Sequence, residues 1–151
     1  MGAPNRRLSI AARSLTVGGI FLGAAALFHF LAASHLPLVL KKVLDANTYE
    51  FLQPIVSFTF LLNGVLLLPL SFSTLYSAAG VRRGERWAWW ICLANALTVI
   101  ALPGLLLWTM GFQYFSAPLF LAGAVSITVA GLLMILPLLW AKRDIEPGAP
   151  S

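Results

Sequence analysis

Charge is scarce in this chain. Of its 151 residues, 10% are Asp, Glu, Lys or Arg and 60% are hydrophobic, whereas soluble domains carry about 25% charged residues. A water-soluble fold of this size has too little polar surface to cover so apolar an interior, which excludes an ordinary globule and a disordered chain. Cysteine is nearly absent. Cys92 stands alone, so there is no disulfide framework and no paired-thiol chemistry of the kind four-helix quinone-linked oxidases need. A phosphate-binding glycine loop is also missing, because Gly18-Gly19-x-x-x-Gly23 lies inside an apolar run instead of following a strand. These absences leave a polytopic membrane protein.

The uncharged stretches set its architecture. Residues 14–40, 51–81 and 87–141 contain no Asp, Glu, Lys or Arg. A spanning helix needs about 20 apolar residues, so the first two stretches hold one span each. The third holds two, broken at Gly111-Phe-Gln-Tyr-Phe-Ser-Ala-Pro118, where glycine and proline bracket a polar, aromatic turn. The predicted spans are about 15–38, 54–76, 87–110 and 119–140. They lack the two-residue alternation of barrel strands. The expected fold is an all-α, four-transmembrane-helix bundle, with a basic segment over 1–14 and a tail over 141–151.

Orientation follows from the basic residues. With the N-terminus inside, Arg6, Arg7, Arg13, Arg82, Arg83, Arg86, Lys142 and Arg143 lie on the cytoplasmic side, and Lys41 and Lys42 outside. This bias predicts that both termini are cytoplasmic in a multi-pass protein of a bacterial inner membrane. The net charge of +5 therefore reflects topology and anionic headgroups. Nucleic acid is excluded as a partner, because the basic residues fall in short separate segments. Arg82, Arg83, Arg86, Trp87, Trp89, Trp90, Trp108 and Trp140 are the expected interfacial anchors. The N-terminal arginines, apolar run and Ala32-Ala33-Ser34 imitate a signal peptide, but the run is longer than a signal's apolar core and reads as a retained first helix. In the first loop, about 39–53, Asn47 and Glu50 are spaced as a capping pair.

The connection Arg83-Gly-Glu-Arg-Trp-Ala-Trp-Trp90 resembles the middle loop of small bacterial four-helix membrane proteins, some of them loosely DoxX-like. The resemblance covers about ten residues of the chain. It implies a four-helix membrane fold and no particular activity.

No ionisable carboxylate, ammonium or guanidinium falls inside a predicted span. This disfavours ion-coupled transporters and small multidrug exporters, which need such a group at depth. Neutral polar residues remain near mid-depth: His29, Asn63, Asn95, Ser126 and Thr128. Left unpaired in hydrocarbon they are costly, so they are expected to face inward and pair, His29 with Asn63 or Thr128. That layer is the candidate site for a hydrophobic ligand such as a quinone, a lipid or haem. His35, six residues on and about 240° further around the helix, cannot share an ion with His29, and no metal site is expected.

Small residues at three- and four-residue spacing predict helix association: Gly19 and Gly23 on the first span, and Ala122, Ser126 and Ala130 on the fourth. Asn95 is placed on a face with Ala88, Cys92 and Thr98, and Pro69, Pro103 and Pro137 should bend their helices. The leading expectation is a non-enzymatic accessory or scaffold subunit, in a homo-oligomer or larger membrane complex. A hydrophobic-ligand binder near His29 is the alternative. A lipid-modifying enzyme ranks third, since no nucleophile–base pair is present.

Overall fold

The computed structural model describes residues 5–112 and 118–145. The hairpin residues 113–117, the tail 146–151 and the side chains of residues 110, 118–120 and 122 (among them Ala122) lie outside the described residues. Four helices follow one another: α1 (Arg6–Val43), α2 (Ala46–Arg82), α3 (Arg86–Met110) and α4 (Pro118–Ile145). No strand occurs among the described residues. All four helices are long and apolar enough to cross a membrane. At 1.5 Å per residue, the 38 residues of α1 and 37 of α2 give helices of about 55 Å each, well beyond the ~30 Å of a hydrocarbon core.

That length corrects the expected first loop. Residues 39–53 are helical except for a two-residue break at Leu44 and Asp45. Pro37 does not end α1, and Pro54 lies inside α2. A proline removes a single backbone bond, which a long apolar helix tolerates. The cap is also corrected. Asp45, not Asn47, starts α2: its Oδ1 accepts from the Thr48 backbone N–H at 3.0 Å and its Oδ2 from the Thr48 hydroxyl at 2.7 Å. Each contact satisfies an otherwise unpaired group of the first turn. They hold the Asp45 carboxyl below its ordinary value of 3.8, the Thr48 hydroxyl acting most strongly.

The chain falls into two compact units, residues 1–19 with 73–151, and residues 20–72. The first is a bundle of four helical segments, each with a buried stripe. On α3 the stripe is Ala88, Cys92, Asn95, Ala96 and Val99, and on α4 it is Ala130, Met134, Leu138, Ala141 and Ile145. The opposite faces are equally apolar, as lipid requires. Glycines let the backbones close. A Cβ on Gly18 would lie 2.6 Å from Met134 Cγ, one on Gly19 would lie 2.8 Å from the Leu75 side chain, and one on Gly131 would lie 3.1 Å from Ile100 Cβ. The α2–α3 connection is tight. Glu85 N–H donates to the Gly80 carbonyl and Gly84 N–H to that of Val81, both at 3.0 Å. This closure needs the left-handed conformation that Gly84 adopts at φ 77°.

The second unit is the α1–α2 hairpin over residues 20–72. Leu22, Ala26, Leu67 and Ser71 form its buried seam. Gly64 admits the Phe30 ring and the Ala26 carbonyl, and Gly23 faces the Ser71 hydroxyl.

Candidate functional site

In the first unit the polar residues tie helices together. Asn95, 8% exposed, donates through Nδ2 to Ser73 Oγ at 2.8 Å and to Thr74 Oγ1 at 3.0 Å. Both protons of its amide are thus used between α3 and α2, which leaves a structural cross-link where a ligand contact was expected. Cys92 lies one turn away and fully buried, its Sγ 4.0 Å from the Thr74 carbonyl oxygen. Thr98 does not share that buried face: it is exposed, and its hydroxyl bonds back to the Ala94 carbonyl at 2.9 Å. Ser14, which sequence reasoning missed, donates from α1 to the Leu133 carbonyl on α4.

Trp89 corrects the interfacial assignment. It is 3% exposed, and its indole N–H donates to the Leu138 carbonyl on α4 at 3.0 Å. Its ring meets that of Trp90 edge-on, with centroids 4.9 Å apart. A tryptophan run places at least one ring inward because α3 turns 100° per residue. Trp87, Trp90, Trp108 and Trp140 are exposed. The Arg7 guanidinium sits 5.3 Å from the Trp140 ring centroid, a cation–π arrangement. Arg82 and Arg86 are exposed, while Arg83 pairs with Glu85 through Nε and Nη2.

Thr128 satisfies its hydroxyl on its own helix, at the Ala124 carbonyl 2.8 Å away. In the second unit, His29 Nδ1 lies 2.8 Å from the Ala25 carbonyl oxygen. A carbonyl only accepts, so Nδ1 is the donor. The imidazole packs against Phe60, with ring centroids 5.6 Å apart, and meets Phe28 edge-on. Asn63 is exposed on α2 and makes no hydrogen bond to any described residue. Ser126 is exposed on α4. No group of three His, Cys, Asp or Glu gathers among the described residues. His35, like His29, is bonded to its own helix, through the Leu31 carbonyl.

Three of the predicted association residues pack within the chain. Gly19 and Gly23 receive side chains of α2, and Ala130 is buried in the bundle stripe.

One apolar cavity of about 530 Å³ lies between α3 and α4, where Pro103 and Gly104 face Thr128, Ala124 and Leu121. Of the five candidate ligand residues, Thr128 alone lines it. A Cβ on Gly104 would meet nothing within 4 Å. Gly104 could have indicated this space, since glycine withholds side-chain volume. No protein-family model, curated protein or solved structure matches this chain.

Proposed function

We propose that this protein is a non-enzymatic accessory or scaffold subunit of a bacterial inner membrane, with both termini cytoplasmic, that self-associates through α2. The observation that carries this reading is Asn63. It lies near the middle of the 31 uncharged residues 51–81, exposed and without a hydrogen bond to any described residue. An amide facing hydrocarbon is costly, and a carboxamide offers both donor and acceptor. A second copy related by a two-fold axis brings the same amide to the same place, so each satisfies the other. Gly19 and Gly23 of α1 already face Leu75 and Ser71 of α2 in the same chain, whereas the Asn63 amide is on an exposed face of α2.

Native mass spectrometry from mild detergent tests this. The wild type is expected as a dimer or higher oligomer, Asn63→Leu as a monomer, and Asn63→Gln, which keeps the amide, as the wild-type species. A monomeric wild type, or an unchanged Asn63→Leu assembly, overturns the reading.

The second reading, a hydrophobic-ligand binder, is favoured by the α3–α4 cavity more than by His29. An apolar space of this size accommodates an acyl or isoprenoid chain. Gly104→Leu would fill it and should abolish co-purification of any such molecule, whereas His29→Leu should not.

A further inference from the structure

The basic end of the first unit contains a groove of about 530 Å³ between α1 and α2. One side is a single face of α1, where Ser9, Arg13 and Thr16 recur at four and three residues. The other side brings Arg82 and Arg83 from the last turn of α2. Its floor is small and apolar, with Ala12 and Ala78 both buried. Three arginines thus line one groove, and among the described residues Glu85 is the only carboxylate bonded to any of them. Glu85 compensates Arg83, and each holds the other charged: the arginine is shifted up and the carboxyl down, mainly by their shared hydrogen bonds. Arg13 and Arg82 make no ion pair or hydrogen bond with any described residue.

We propose that this groove binds the phosphate of an anionic phospholipid headgroup, with the proximal part of an acyl chain along its floor. Arginine forks match phosphate oxygens in bidentate fashion, and the Ser9 hydroxyl adds a donor at the rim. The groove does not stop at the charged rim. It reaches Leu75, seven residues inward from Arg82, or about 10 Å along α2, and Thr16 on α1. A free phosphate uses the rim alone. A phospholipid uses the rim and the apolar floor together, and the bilayer supplies it at high local concentration.

The test uses the full chain in detergent, titrated with phosphatidylglycerol, phosphatidylcholine or inorganic phosphate and read by native mass spectrometry and thermal melting. The wild type should retain phosphatidylglycerol at least tenfold better than phosphatidylcholine. R13Q/R82Q should lose that preference, while K142Q/R143Q, with the same charge change on α4, keeps it. Ala79→Trp fills the groove from an exposed position without altering charge, and should also lose the preference. Equal losses in the two double variants, no loss in Ala79→Trp, or no preference in the wild type overturns the proposal. Millimolar inorganic phosphate raising the melting temperature as much as phosphatidylglycerol also overturns it, in favour of a soluble phosphate compound.

Discussion

Ser14 on α1 donates its hydroxyl to the Leu133 carbonyl on α4 at 2.5 Å. That carbonyl lies four residues before Pro137, and a proline at this position has no N–H to offer it. One helix thus satisfies the acceptor that a proline in another leaves open, and the pair fixes α1 against α4.

A double-mutant cycle checks this coupling. Ser14→Ala is expected to cost about 1 kcal/mol, the net value of one hydrogen bond. Pro137→Ala restores the intrahelical donor, so Ser14→Ala in that background should cost markedly less. Unfolding in mixed micelles measures the four stabilities, and additive effects would sink the coupling.

Two glycines separate close packing from open space. A Cβ on Gly80 would lie 2.5 Å from Ala88 Cβ and 2.7 Å from Glu85 Oε2. Gly80→Ala should therefore destabilise by roughly 1–3 kcal/mol through overpacking of α2 on α3. Gly104→Ala meets nothing within 4 Å and should be neutral or stabilise by up to about 1 kcal/mol, since alanine is the better helix former. The same unfolding assay compares them, and equal effects would contradict the α2–α3 approach.

The α1–α2 turn should weaken in acid. The Asp45 carboxyl titrates below its ordinary value of 3.8 because Thr48 bonds the charged form. A lowered native value means that the cap contributes fully above the unfolded value and is lost as pH falls through the native one. Amide exchange at Thr48 should accelerate over that acid range. Asp45→Asn caps without a charge, so its exchange should show no such titration.

Much of the fold was legible in the chain. Long uncharged runs bounded by Arg, Lys and Glu marked four helices, and Gly111 ends α3 where a break was expected. The loop between the first two helices was not legible, because Pro37, Lys41 and Pro54 resemble helix boundaries and yet sit within continuous helix. The hydrogen-bond partners of the candidate polar residues were not legible. His29 and Thr128 each found an acceptor one turn back on their own helix, an option that spacing alone does not weigh against a neighbouring helix.

The sequence by itself determined that this chain is four apolar helices, because ions cannot be placed cheaply in hydrocarbon and their absence over more than 20 residues has one economical explanation. Only the tertiary structure decided which polar atoms meet. An apolar helix presents lipid-compatible residues on every side, so its sequence does not say which face turns inward. That choice came from close backbone approach at Gly18, Gly19 and Gly131, and it placed Trp89 inside the bundle, Asn95 on Ser73 and Thr74, and Ser14 on Leu133.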